Sequence, residues 1–262
     1  MDSITLLSWN IMQRSVQYSA DIVDVTKRLG ADFVSYSEWR PPSDWSPGNS
    51  QLEIDLKSAG YVNQEPMHSH FLEFLGQTVP VHKLNGILVA SRLGIRASHP
   101  PIWQNEAPSS WVEVFLPSLK LTVVSIRPIV GTKKVVFDKK KYWSWIIKQT
   151  ARLKNQNALI LGDFNIYANN IGTKNDPGLS KLIKSGWRDV ALEQGMESEN
   201  TYYPRNRLSA KRLDYALLSP SFTGKVEAFL QPIEVDGIKI SGPTINRPIS
   251  DHTPIVITLG QD

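Results

Sequence analysis

Cysteine is absent from all 262 residues. That excludes disulfides, thiolate nucleophiles and cysteine-ligated zinc or iron–sulfur centres. It leaves the compartment open, because secreted chains can also lack cysteine. No apolar run reaches the ~18 residues that a membrane span needs. The opening MDSITLLSWNIM has no basic start, no long apolar stretch and no small-residue cleavage site. No secretory signal is read there, so a cytoplasmic location is the default expectation. Repeats, low-complexity stretches and linker-like shifts in composition are missing too, and one domain over 1–262 is expected. Histidine is scarce, at 5 residues, and no His-Glu-x-x-His pattern occurs.

What is present has a strand–helix–strand rhythm with short connections. Strands are predicted at 4–10, 33–37, 87–90, 111–116, 121–126, 158–161, 215–218, 225–230 and 255–259, from aliphatic or β-branched runs bounded by turns. Pro117 and Ser118 predict a hairpin turn between two of them. Helices are predicted at 19–29, 52–59, 137–153 and 179–185. The first carries Ile22, Val25 and Leu29 on one face and stops at Gly30. The third, the longest, has a broad apolar face from Tyr142 to Leu153. βαβ units mixed with hairpins imply mixed sheets covered by helices.

The oily strands end in polar residues. ITLLSWN closes on Asn10, DFVSYSE on Glu38, and ALILGDFN on Asp163 and Asn165. Near the C-terminus the order reverses. RLDYALLS places Asp214 before a strand, and ISDHTPIVITL places Asp251 and His252 before the last one. If those last two strands run opposite to the first three, every polar tip meets on one rim. Each tip alone could be a turn or a cap. Crowded together, unpaired carboxylates repel, so the rim calls for a cation. Oxygen ligands suit magnesium, manganese or calcium better than zinc. His252 has Asp214 and Asp251 available to hold its ring.

LLSWNIM, ADFVSYSEW, LILGDFNI, RLDYALLS and ISDHTPIVI stand in the order found in the endonuclease/exonuclease/phosphatase superfamily, and the chain resembles that group from Leu6 to Leu259. The group includes deoxyribonuclease I, exonuclease III-type nucleases, sphingomyelinases and inositol polyphosphate phosphatases. The resemblance implies a deoxyribonuclease I-like four-layer αββα sandwich of two packed mixed sheets flanked by helices. It implies phosphoester hydrolysis with a divalent metal, Mg2+ or Mn2+. Glu38 would be the principal metal ligand, with Asn10 and Asp251 near the metal. Asp163 would orient or deprotonate water, Asn165 would hydrogen-bond phosphate, and His252 would touch phosphate with Asp214 fixing its ring.

The chain departs from the pattern in places. Many members carry Tyr or His on the strand before the longest helix, whereas VVSIRPIVG offers Arg127, a fixed cation suited to phosphate. Arg40 stands where abasic-site nucleases of the group often have Lys, and Lys211 where they often have Trp. Net charge is +4. Basic residues gather at Lys133–Lys134, at Lys139 to Lys141, and at Arg205, Arg207, Lys211 and Arg212 beside Tyr202 and Tyr203. Such clusters are either solvated surface or a face that meets phosphates and bases. A nuclease acting on DNA rather than RNA is the expectation. A phosphatase or phospholipase, with Trp45 and Trp103 as loop aromatics for a membrane, is the alternative. A non-catalytic scaffold would not require the full polar set.

Overall fold

The computed structural model describes residues 3–40, 48–66, 86–98, 111–128, 139–173, 175–204, 209–242 and 248–260. Its main elements are β1 (Ile4–Asn10), α1 (Ser19–Arg28), β2 (Phe33–Trp39), α2 (Gln51–Ser58), β3 (Asn63–Pro66), β4 (Gly86–Ser91), β5 (Arg96–Ala97), β6 (Trp111–Leu116), β7 (Leu121–Ile126), α3 (Lys139–Leu153), β8 (Ala158–Asp163), α4 (Leu179–Lys184), β9 (Arg188–Asp189), α5 (Val190–Glu193), β10 (Asp214–Leu218), β11 (Lys225–Leu230), β12 (Glu234–Val235), β13 (Ile238–Lys239) and β14 (Ile255–Gly260). One sheet has the order β11-β14-β1-β2-β4-β3 and the other β5-β6-β7-β8-β10-β9.

The two sheets pack face to face. Leu6, Phe33 and Val89 of the first meet Val114, Val123, Leu161 and Leu218 of the second in one buried cluster. The outer faces are covered by helices. Leu7 and Trp9 pack with Ile22 and Val25 of α1 and with Leu52 and Leu56 of α2. Ile160 and Tyr215 pack with Trp143 and Ile146 of α3 and Leu182 of α4. The result is four layers, helix–sheet–sheet–helix, with both sheets buried on both faces. That explains why the strands read as continuous apolar runs rather than alternating ones. Helix α2 starts with a capping box between Ser50 and Glu53. Among the described residues, no helix is long and apolar enough to cross a membrane.

Strand direction and side-chain alternation place the polar tips. β1 and β2 are parallel, as are β7 and β8, while β14 runs antiparallel to β1 and β10 antiparallel to β8. The ends of β1, β2, β7 and β8 therefore share a rim with the starts of β10 and β14. Alternation then selects the face. Leu159 and Leu161 point between the sheets, so Asp163 does as well. Leu6 sets the same side for Asn10, Ala216 and Leu218 for Asp214, and Val123 for Arg127.

Gly162 sits where β8 presses against β7, opposite Ile126. Its φ is +142, and a Cβ there would lie 1.9 Å from the Ile126 carbonyl oxygen. Gly162→Ala combines a clash against backbone with a left-handed φ. It should destabilise by about 3 kcal/mol, read as a lower urea midpoint; an unchanged midpoint would contradict this packing.

The sequence reading missed β3, β5, β9, α5 and the β12–β13 hairpin, all short and poor in apolar periodicity. The longest helix begins at Lys139, and residues 137–138 of its predicted span lie outside the described residues.

Candidate active site

The rim brings Asn10, Glu38, Arg127, Asp163, Asn165, Asp214 and His252 together from six strand ends. Asn10 is 2% exposed and links the sheets. Its Nδ2 donates to Asp163 Oδ2 at 2.9 Å and to Glu38 Oε1 at 3.3 Å, while its Oδ1 accepts from the Met12 amide at 3.0 Å. Both donor contacts end on carboxylates, which fixes the amide's orientation. Glu38 sits in a bulge where the β2–β4 register shifts between Ser37 and Trp39, with φ 58. A left-handed glutamate costs roughly 1–2 kcal/mol and turns its side chain out of the strand's alternation. Glu38 Oε1 there meets Arg127 Nη2 at 2.6 Å.

Asp163 is held from two sides. Asn165 donates its backbone N–H to Oδ1 at 2.9 Å and its Nδ2 to Oδ2 at 3.1 Å, with Asn10 also on Oδ2. The remaining Asn165 amide proton goes to the Pro128 carbonyl at 3.2 Å. Asn165 has φ 52, a left-handed turn that an asparagine adopts readily. Phosphate was its expected partner; the amide protons meet Asp163 and Pro128 in this structure.

His252 Nδ1 lies 2.8 Å from Asp214 Oδ2, and both side chains are buried. The ring N–H donates, so Nε2 is the nitrogen left for a substrate. Asp214 is anchored by Thr201, whose Oγ1 accepts from the Leu213 and Asp214 amides at 3.0 Å each. Ser250 Oγ donates to the Asn10 carbonyl at 2.6 Å and accepts from the His252 amide at 3.1 Å. Trp9 Nε1 donates to the His252 carbonyl at 3.0 Å. The Tyr202 ring packs on the imidazole, centroids 4.9 Å apart. Sequence reading missed Thr201, Ser250 and Trp9. Ser250 and Trp9 lie inside the quoted motifs, but nothing in the sequence marks Thr201.

These contacts set the charges. Burial pushes the Asp163 carboxyl up to about 6, with the Asp214 charge adding to it and His252 opposing it. Burial works to lower His252, but the Asp214 charge and hydrogen bond outweigh it, and the imidazole is pushed up to about 9. Burial also disfavours ionised Glu38, yet the Arg127 charge prevails and holds its carboxyl below the ordinary value. Near neutral pH the cleft holds an imidazolium between carboxylates and a guanidinium on Glu38.

The donor chemistry fits a divalent cation of the magnesium type. Glu38 receives its hydrogen bonds on Oε1, and Oε2 accepts none among the described residues. Asn10 Oδ1 keeps a second lone pair. Among the described residues, no three histidine, aspartate or glutamate side chains form a ready cage. One carboxylate and one amide carbonyl are the sparse oxygen set that suits an ion retaining most of its water, rather than an all-protein calcium site. Asp251, expected near the metal, lies close enough to His252 for its charge to raise the imidazole, and its carbonyl accepts from the Tyr203 amide at 2.7 Å.

The basic residues divide. Lys211 Nζ lies 5.6 Å from the Tyr167 ring centroid, and Tyr202 bridges Lys211 to His252 through the backbone. Lys211 thus sits beside the site. Arg40 is exposed and donates to Gln13 Oε1, and the Gln13 backbone N–H reaches the Glu38 carbonyl at 3.0 Å. Arg212 is no surface cation: it is 5% exposed, doubly bonded to Asp189 at 2.5 and 2.8 Å. Lys133, Lys134, Arg205, Arg207, Trp45 and Trp103 lie outside the described residues, as do the side chains of Lys139 to Lys141.

Known proteins share this architecture. An AP endonuclease from Leishmania major aligns with a TM-score of 0.71 at 13% identity, over 99% of this chain and 88% of that one. An AP endonuclease from Archaeoglobus fulgidus aligns with a TM-score of 0.69 at 16% identity, over 97% and 98%. A 3′ phosphatase from Neisseria, bound to a product DNA hairpin, aligns with a TM-score of 0.67 at 16% identity, also over 97% and 98%. At these identities the likeness speaks for the fold, a deoxyribonuclease I-like sandwich. No curated protein matches the sequence. The sequence pattern that does match runs over residues 7–252, from the first oily strand to the imidazole. On that match, this chain belongs to the endonuclease/exonuclease/phosphatase family.

Proposed function

We propose that this chain, as one catalytic domain, is a divalent-metal-dependent phosphodiesterase that hydrolyses nucleic acid, DNA in preference to RNA. One observation carries the reading. A buried carboxylate held by three hydrogen bonds, a carboxylate-anchored imidazole and an arginine converge on one rim of the two sheets. Phosphodiester hydrolysis needs a base to aim and deprotonate water, and fixed cations to meet charge on the phosphoryl oxygens.

In this reading Asp163 takes the proton of the attacking water. Asn10 and Asn165 occupy three of the acceptor positions of Asp163, two on Oδ2 and one on Oδ1, and leave one on Oδ1 for the water. His252, protonated and locked by Asp214, donates from Nε2 to a phosphoryl oxygen. Arg127 offers a second cation. Glu38 and the Asn10 side-chain Oδ1 would hold Mg2+, or Mn2+ in its place, which would supply neutralisation of charge at the phosphate and the leaving oxygen. Asn165 acts as a positioning residue for Asp163.

Nucleic acid is favoured by the lip beside His252. Tyr202, Tyr167 and Lys211 form an aromatic and cationic border, suited to bases and flanking phosphates. DNA is favoured because the similar folds include AP endonucleases and a 3′ phosphatase bound to DNA.

The test is a hydrolysis panel with magnesium and with chelator. Its substrates are closed circular DNA, linear duplex, single strands, RNA, an abasic duplex, DNA bearing a 3′ phosphate, and a phosphoinositide. Metal-dependent cutting of DNA is expected, with RNA cut more slowly. Phosphate release from the phosphoinositide, with every nucleic acid intact, would overturn the nuclease reading in favour of a phosphatase.

A further inference from the structure

Arg127 and Glu38 are joined across the two sheets by a single short contact, Nη2 to Oε1 at 2.6 Å. Their side chains are only 12% and 17% exposed. The Arg127 Nε is buried and has no hydrogen-bond partner among the described residues. The guanidinium is therefore fixed to Glu38 through one nitrogen, while its buried Nε donor is unused among the described residues. Glu38 is also the carboxylate that would carry the metal. A guanidinium on Oε1 and a divalent cation on Oε2 of the same carboxylate would repel each other at close range, so binding of the cation weakens the ion pair.

We propose that Arg127 is a resident counter-ion for Glu38, displaced when a divalent cation binds there and freed to move onto the substrate phosphate. The proposal rests on the phosphodiesterase reading above. Without Arg127 or a bound cation, Glu38 would be a mostly buried carboxylate with only the nearby His252 charge to offset its burial, a costly state. Arg127 relieves it, which neither a tyrosine nor a neutral histidine at this strand end would do. The long, forked side chain can change partner while its stem stays in place, and a phosphate oxygen pair matches its geometry. The exchange couples the two ligands. Metal binding prepares the phosphate site, and a bound phosphate holds Arg127 off Glu38, so each raises affinity for the other.

Calorimetric titration of Mg2+ and Mn2+ into wild type, Arg127→Gln and Glu38→Gln tests this, with thermal unfolding in chelator and in excess Mg2+. Removing the competitor should tighten Mg2+ binding on the order of tenfold. Arg127→Gln should also melt lower than wild type in chelator and gain more from Mg2+, even as turnover falls. Equal or weaker Mg2+ binding by Arg127→Gln would overturn the exchange and leave Arg127 a structural ion pair. Glu38→Gln separates the two levels of argument. Binding as tight as wild type in that variant would remove the metal from Glu38 and overturn the proposed metal site itself. If Arg127→Gln fails to fold, Arg127→Lys keeps the charge on a shorter reach. It should bind Mg2+ more tightly than wild type, and unchanged affinity again overturns the exchange.

Discussion

Replacing Asp163 by asparagine is expected to lower phosphodiester turnover about 10³-fold, within the range associated with loss of a positioned base. Asparagine keeps the side chain's shape and can still accept the Asn165 backbone N–H at its oxygen, although its NH2 then meets the Asn10 and Asn165 amide donors, which must turn aside. It cannot take a proton from water. The loss should therefore fall on kcat rather than on KM, because the phosphate contacts from His252 and Arg127 remain. The wild-type pH profile should show the same group. Asp163 must be ionised to act, so activity should rise as pH passes about 6, where burial has pushed its carboxyl. His252 must be protonated to donate, so activity should fall as pH passes about 9. In Asp163→Asn the acid limb should disappear from the residual activity. Retention of that limb, or of near-normal turnover, would assign the base elsewhere.

His252→Ala is expected to cost about 10²–10³-fold in turnover, the usual loss for a fixed donor to developing charge. It should also affect the fold. Asp214 is 1% exposed and His252 is the partner of its Oδ2. Removing one half of a buried charged pair costs about 3–5 kcal/mol, because the other charge is left uncompensated. The sign of the pH dependence follows from the shift. His252 titrates at about 9 in the folded chain against an ordinary value of 6.5. Its contribution to stability is fully present below about pH 6.5 and is lost as pH rises through about 9. The stability gap between wild type and His252→Ala, measured by urea unfolding, should therefore narrow across that window. A gap independent of pH would contradict a charged imidazole in the native state. Asp214→Asn, which keeps a partner for the ring without its charge, should cost less stability.

Much of the site was legible because the strands are so apolar. A polar residue at the tip of ALILGD or ITLLSWN has few explanations, and period-two alternation sends Asn10, Asp163 and Asp214 into the same gap between the sheets. The four layers could be read from βαβ units and hairpins for the same reason. What escaped the sequence was set by tertiary contacts. Arg212 sits in a basic stretch and looks like surface, yet Asp189 from β9, a two-residue strand with no pattern of its own, draws it inside. Glu38 reads as an ordinary strand residue, but a bulge and a left-handed φ aim it at Arg127. Thr201 ties β10 to the start of β14 through backbone amides, a role that depends on chain crossing rather than on any motif. Asn165 was expected on the phosphate, and only the distances to Asp163 and Pro128 reveal its positioning contacts.

The most direct test of the central claim is cleavage of an end-labelled DNA duplex by wild type and Asp163→Asn side by side, each with Mg2+ and with chelator. The account expects rapid cleavage by wild type in Mg2+ alone, and about a thousandth of that rate from the variant. Cleavage that survives chelation, or that proceeds equally well without the Asp163 carboxylate, would show that this rim is not where phosphodiester bonds are broken.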